Sequence, residues 1–307
     1  MIRRAISLLL ILFVMLGTSE YNNEDESVDL DFEILTSNCS DCSYPSYYSA
    51  TNEPAKINLK TLNIKEISVE GYAHIHAAIQ LDNSDFVYSA VDYNGDFWIL
   101  RVSDKNEITK ISIRNMPDRM YAYMDTVLLH YYDGNLASLN IIDFNNNKEQ
   151  ILISDMANSS QFNSVFVNDN KILYKSYTEN NESVWSLYEN GNILTFTHDG
   201  LCVGFIEDEI VFYNKISNVF VLSDLSATYE IGKFEKYDIS NNKIKSLNYS
   251  IFYGTVVENF TILDNNYIIV YSYNENSGGQ RHTIFNLETG KRKTLELKRG
   301  YFNAISE

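Results

Sequence analysis

The stretch from His74 to Arg114 constrains the fold more than any other part of the chain. It reads as four short runs, HIHAAIQL, FVYSAVD, FWILRVSD and ITKISIR, cut by the turn-forming segments DNSD, YNGD and KNE. Runs this short, rich in β-branched and aromatic residues, predict strands. Asn94-Gly95 lies between the second and third runs, where that dipeptide supplies the positive φ of a tight hairpin. A meander of four strands in about forty residues has two faces to cover and cannot cover both alone, so copies of it are required.

The chain supplies them. The third strand of the unit serves as a ruler: Asp96–Leu100, Asn135–Leu139, Ser183–Leu187, Asn218–Leu222 and, after a one-residue shift, His282–Leu287. Successive leucines are spaced by 39, 48, 35 and 65 residues. The last interval leaves room for a long insertion or a partial unit around Phe234–Gly254. Second strands recur too, at Phe86, Val127, Ile172, Ile210 and Ile268. Each follows a short acidic or Asx turn, such as Asn168-Asp169-Asn170 or Glu207-Asp208, whose side chains bond their own backbone. The expected fold is all-β: a single β-propeller of five to six four-stranded blades.

Both ends of the chain fit a closed ring. Thr61–Val69 reads as the fourth strand of a blade and Gly300–Ile305 as a first strand, so strands from both termini fasten one closing blade. Thr61–Val69 and Tyr301–Ile305 are expected to be adjacent. The domain reading is 1–19, an export signal; 20–56, an acidic and then Ser-, Tyr- and Asn-rich disordered linker; and 57–307, the propeller. The signal rests on Arg3-Arg4, the apolar run Ala5–Leu16 and the small residues Gly17-Thr18-Ser19. An uncleaved signal anchor is the alternative, and the expected location is secreted or extracytoplasmic.

Charge narrows the partners. A formal net charge of −17 disfavours nucleic acid and anionic membrane surfaces, which are bound through Lys and Arg. Neither nucleic-acid binding nor membrane insertion of the propeller is expected; the oligomeric state is open. Cys39-Ser40-Asp41-Cys42 reads as a local disulfide in an exported chain, with a redox motif or half a zinc site as the other readings. Cys202, in an apolar run, reads as a buried inert thiol.

In repeat length and architecture, Thr61–Glu307 resembles bacterial exported β-propellers of the broad YWTD and WD-repeat-like type. The Tyr-Trp-Thr-Asp and Trp-Asp tetrads are absent, so no site residue carries over by position.

Chemistry-bearing groups are few. His74 and His76, at i and i+2 of a first strand, are expected to line the central channel. Asp125 is the nearest third ligand in repeat register, but the leading reading is two polar residues lining a wet channel, and no metal is assigned. Asp92–Asp96 is too short for a calcium loop. No G-x-S-x-G is present, and Ser277-Gly278-Gly279 lacks the Lys-Ser/Thr of a phosphate loop. Asp125 and Glu207 keep a glycoside hydrolase as an alternative function, by paired carboxylates in the central funnel. No catalytic residue and no cofactor is assigned. The leading expectation is a secreted or surface-tethered, non-catalytic binding module for a protein or glycan; an architectural part of a cell-envelope assembly is a further alternative. Variable loops on a rigid scaffold carry binding, which points to Tyr93, Arg119, Tyr273 and Arg281 as ligand contacts. The leader makes the first prediction: mass spectrometry of protein recovered outside the cytoplasm finds an N-terminus near Glu20, and full-length chain retained in the cytoplasm contradicts it.

Overall fold

The computed structural model describes residues 33–38 and 54–304, apart from 59–60, 62–63, 82, 133–135, 157–164, 178–181, 221–227, 240, 242, 254–255, 264–265, 275–278 and 296–300. The described residues form strands and turns. The first three strands are β1 (Glu33–Asn38), β2 (Pro54–Asn58) and β3 (Ile64–Glu66). Five consecutive meanders follow. Blade II holds β4 (Tyr72–Gln80), β5 (Phe86–Asp92), β6 (Phe97–Val102) and β7 (Ile108–Ile113). Blade III holds β8 (Arg119–Tyr123), β9 (Thr126–Tyr132), β10 (Ala137–Asp143) and β11 (Lys148–Met156). Blade IV holds β12 (Val165–Asn168), β13 (Lys171–Tyr177), β14 (Ser183–Glu189) and β15 (Asn192–Phe196). Blade V holds β16 (Leu201–Ile206), β17 (Glu209–Phe220), β18 (Thr228–Asp238) and β19 (Lys243–Tyr253). Blade VI holds β20 (Val256–Ile262), β21 (Tyr267–Asn274), β22 (Gly279–Asn286) and β23 (Arg292–Leu295). β24 (Tyr301–Ala304) returns to β1, giving a further four-stranded sheet, blade I, in the order β24-β1-β2-β3.

First strands touch first strands: β4 meets β8, β8 meets β12, β12 meets β16, and β16 meets β20. They form the inner ring, and each blade runs outward from it. Along β9 the side chains alternate between the two neighbouring blades, as a strand's period of two requires. Val127 and Leu129 pack with Ile79, Val87 and Ile99 of blade II. Leu128, between them, packs with Val165, Ile172 and Tyr174 of blade IV. Blades V and VI meet through Tyr213, Phe234 and Phe252 against Phe260, Phe285 and Ile268. In blade V, Cys202 is buried as expected, and burial pushes its thiol well up, away from the reactive thiolate.

The all-β propeller reading holds, and the structure revises its details. Asn218–Leu222 is not a third strand, because Asn218–Phe220 is the end of β17. The third strand of blade V is β18, and Phe234–Gly254 supplies the rest of β18 and all of β19 rather than an insertion. The ruler slipped onto NVFVL because β17 runs on for 12 residues without a strong turn signal. The linker reading of 20–56 also fails in part, since β1 and β2 arise within it and supply the middle of blade I. Thr61–Val69 and Tyr301–Ile305 do reach the same sheet, but β3 and β24 are its two outermost strands and not neighbours. At Asn94-Gly95 only Gly95 takes a positive φ, of 90°, and Gly95 N–H donates to Asp92 O at 3.1 Å, so the turn is wider than a two-residue one. The leader and the Cys39–Cys42 pair lie outside the described residues.

β24 pairs with β1 at Thr36↔Ala304 and Asn38↔Tyr301, the bond that joins the two ends of the chain. Deleting residues 300–307 leaves a sheet edge open. The melting temperature is expected to fall by about 4 °C or more for a domain of this size. An unchanged thermal melt places ring closure elsewhere.

Candidate binding face

Strand direction gives the ring two unlike faces. Turns from first to second strands and from third to fourth strands share one end; hairpins from second to third strands and the crossings between blades share the other. The first end is built from tight turns. Met124, Asp169 and Glu207 open two-residue turns with φ of 53°, 48° and 56°. Neighbouring blades are latched there. Asn168 Nδ2 donates to Glu207 O at 2.8 Å, Lys171 pairs with Asp208, and Arg101 Nη1 donates to Asp125 O at 3.4 Å. Asp125 and Glu207 therefore stand in the turns of blades III and V, with blade IV between them.

The hairpin end is irregular and more exposed. Tyr93 caps the blade II hairpin with 78% of its surface exposed. Asp92 organises this hairpin: its Oδ1 accepts from the N–H groups of Asn94 at 2.8 Å and Asp96 at 3.0 Å, and its Oδ2 from the Trp98 indole at 3.1 Å. Desolvation pushes the Asp92 carboxyl up, but these donors outweigh it and hold the group below the usual carboxylate range. Lys110 sits 4.8 Å from the Trp98 ring centroid, covering one face of the indole.

Blade V departs furthest from the repeat. β16 pairs with β17 only as far as Leu201↔Tyr213, while β18 follows β17 to Phe220↔Thr228 and β19 follows β18 to Tyr229↔Tyr253. A three-stranded ribbon thus runs on past the inner strand by seven residues of β17, roughly 23 Å at strand rise. Two buried carboxylates anchor it, Glu235 opposite Phe212 at its base and Glu230 opposite Asn218 near its far end. Glu230, 2% exposed, accepts from Tyr213 Oη at 2.9 Å, Lys215 Nζ at 2.9 Å and Val257 N–H of blade VI at 3.4 Å. Glu235, on the side facing blade IV, pairs with Lys233 and accepts from Asn214 Nδ2. His198 stacks on Phe212 with ring centroids 3.7 Å apart, and its Nε2 lies 3.9 Å from Glu235. The Tyr213 ring lies so close over Gly232 that a Cβ there would meet it at 2.3 Å, so this strand position accepts only glycine without rearrangement.

The four contacts expected from sequence all fall at the hairpin end but do not converge. Tyr93 belongs to blade II, Arg119 to blade III, and Tyr273 and Arg281 to blade VI. In the blade VI hairpin Tyr273 pairs with Gln280 and Ser272 with Arg281, so Tyr273 and Arg281 take opposite faces of their sheet. Arg119, half-buried, hydrogen-bonds with Tyr121. Of the channel pair, His74 is exposed and His76 half-buried; burial, and then His74, lower the His76 pKa. The ladder slips between Ile75 and Ala77, so the i, i+2 alternation assumed for the pair is broken at His76. Among the described residues no group of three His, Cys, Asp or Glu is placed to hold a metal. Glu230, Glu235, Lys215 and Lys233 were missed because charged residues in a strand read as its solvent face; the signal that points to them is the unusual length of β17 and β18.

No family model matches this sequence, and no curated protein matches it either. Among solved structures it is similar to TolB from Acinetobacter baumannii, at 10% identity and a TM-score of 0.54, over 89% of this chain and 65% of that one. A chain of a nidogen/laminin complex aligns at 13% identity and a TM-score of 0.48, over 88% of this chain and 96% of that one. Hydrazine synthase from Kuenenia stuttgartiensis aligns at 11% identity and a TM-score of 0.48, over 88% and 45%. The chain thus spans just under two thirds of the TolB chain it matches. At these identities the likeness is one of fold: a β-propeller.

Two half-buried histidines give the ring a pH dependence. Burial, joined by Arg119, lowers His130 to about 4, and burial lowers His282 to about 4. Neither ring nitrogen of His130 has a hydrogen-bond partner. Both folded pKa values lie below the unfolded value of about 6.5, so the unfolded chain takes up protons first on acidification. Stability is therefore full above pH 6.5 and drains away as pH falls from 6.5 to about 4. Thermal melts of wild type and His130→Leu at pH 7 and pH 4.5 check this: the variant is expected to show the smaller drop, and equal drops contradict it.

Proposed function

We propose that this chain is an extracytoplasmic propeller that binds a protein or glycan through its hairpin face, without catalysis. The observation that carries this reading is the asymmetry between the two ends. One is closed by short turns whose polar groups are spent on latching blades together, and the other bears Tyr93 and the rooted ribbon of blade V. Side chains raised on a rigid ring are preorganised, and preorganisation lowers the ordering cost of association. Exposed tyrosine on such a surface is a favoured anchor. The charged start at Arg3-Arg4 and the apolar run behind it support export.

Glycoside hydrolysis needs two carboxylates flanking one bond. Asp125 and Glu207 each give a main-chain carbonyl to a blade latch, which supports a structural role for their turns, and they stand in blades III and V with blade IV between them.

The test compares three purified proteins on a glycan array and in pull-downs against surface and secreted proteins of the source. These are wild type, the double variant Tyr93→Ala with Arg281→Ala, and the tight-turn variant Asp169→Asn with Asp208→Asn. The hairpin-face variant is expected to weaken binding by about tenfold or more, with the tight-turn variant unchanged. Loss confined to the tight-turn variant, with all three folded, overturns the assignment of the face.

A further inference from the structure

We propose that Asn190 is a self-modification site: the Gly191 nitrogen displaces its side-chain amide as ammonia, and the acid left behind loosens the latch between blades IV and V. The inference is independent of the hairpin-face reading, because Asn190 lies at the latching end.

The sequence holds two Asn-Gly dipeptides, Asn94-Gly95 and Asn190-Gly191, and the fold treats them differently. All four residues are exposed, and a Cβ built on either glycine would meet nothing within 4 Å, so a cyclic intermediate has room in both turns. The glycine nitrogen is the nucleophile, and it acts once its proton is lost. Gly95 N–H is committed, donating to Asp92 O at 3.1 Å. The Asp92 carboxylate is folded into the same turn, with Oδ1 accepting from Asn94 N–H at 2.8 Å and Asp96 N–H at 3.0 Å. Attack there breaks a hydrogen bond and builds negative charge beside a carboxylate.

Gly191 N–H is not committed. Glu189 pairs with Asn192, so Asn190 and Gly191 alone make the turn, with φ of 51° and 82°. Positive φ at both marks a type I′ hairpin, closed by hydrogen bonding between the flanking residues. Gly191 N–H takes no part in that closure, and among the described residues it donates to no acceptor. The electrophile is prepared as well. Asn170 Nδ2 donates to Asn190 Oδ1 at 3.2 Å, drawing electrons from the carbon to be attacked and stabilising the charge that develops on that oxygen. The adjacent carboxylate, Glu189, has Lys171 Nζ at 4.0 Å as a counter-ion.

The step balances without a redox partner. Gly191 N gives its proton to solvent and bonds to Asn190 Cγ; the Cγ–Nδ2 bond breaks, and ammonia leaves carrying a proton from water. The cyclic imide then takes up water at either carbonyl. Opening one way leaves aspartate, and opening the other leaves isoaspartate, with one more carbon in the main chain. Either product puts a second carboxylate beside Glu189. Lys171 joins Glu189 to blade V, where its Nζ lies 2.5 Å from Asp208 Oδ1. The added charge on blade IV draws the ammonium back from Asp208.

The purified chain is aged in mildly alkaline buffer and mapped by peptide mass spectrometry, which reads the amide-to-acid mass gain at each asparagine. Conversion at Asn190 is expected to run about fivefold or more ahead of Asn94 in the folded chain, the worth of one hydrogen bond, and at a similar rate in urea. A folded-state rate at Asn94 that equals or exceeds that at Asn190, or a lead that persists in urea, overturns the site. Asn190→Asp tests the consequence. Its 207–208 amides are expected to exchange faster than those of wild type while the thermal melt stays cooperative. Unchanged exchange at 207–208 overturns the loosening of the latch.

Discussion

Blades II to VI are sheets that bury apolar side chains on both sides, and that constraint governs the molecule. Val127 and Leu129 need blade II, and Leu128 needs blade IV, though the three are consecutive in one strand. A buried Leu, Ile or Phe contributes about 1.5–3 kcal/mol by leaving water, and only the next blade can remove it. No blade is therefore stable alone, and an open ring would leave two apolar sheets in water. The chain meets this by closing blade I from both of its ends, with β24 paired to β1.

The same constraint explains how blade V can project without coming loose. Its ribbon leaves the inner strand behind, yet one face stays covered, with Glu230, Ser250 and Phe252 at most 2% exposed. Glu230 ties it to blade VI through Val257 N–H, and Glu235 lies against His198 on the side of blade IV. Buried ion pairs contribute little net stability, because desolvation offsets attraction, but they are particular about geometry. Here they fix the direction in which the ribbon leaves the ring. Beside them Tyr213, Phe234, Phe252 and Phe260 form a dense aromatic contact with ring centroids 5.2–6.2 Å apart. Gly232 keeps the space that Tyr213 needs.

What was legible in the sequence was whatever repeats. The four runs of blade II, the Asx turns and the strand-like ends all correspond to observed strands, because strand alternation and turn chemistry are local properties. Blade V was misread where it departs from the repeat: NVFVL matched the third-strand ruler while belonging to the far end of β17. Glu33–Asn38 was hidden by the acidic residues before it, since composition reports solvation and not pairing with a partner some 265 residues away. Glu230 and Glu235 were invisible for the opposite reason, as buried charge is set by neighbours from other blades. Of the candidate site, sequence reasoning placed all four residues at the hairpin end, but did not reveal that Arg119 is occupied with Tyr121 or that Tyr273 and Arg281 face apart.

The central claim is a division of labour: one end of the ring latches the blades together, and the other meets the partner. Hydrogen exchange across the whole chain, with and without a partner recovered by pull-down, tests it directly. The account predicts that protection rises in the 93–96 hairpin and the blade V ribbon, while the turns at 124–125, 169–170 and 207–208 exchange as before. Protection that rises at those three turns and leaves the hairpin end unchanged would contradict it.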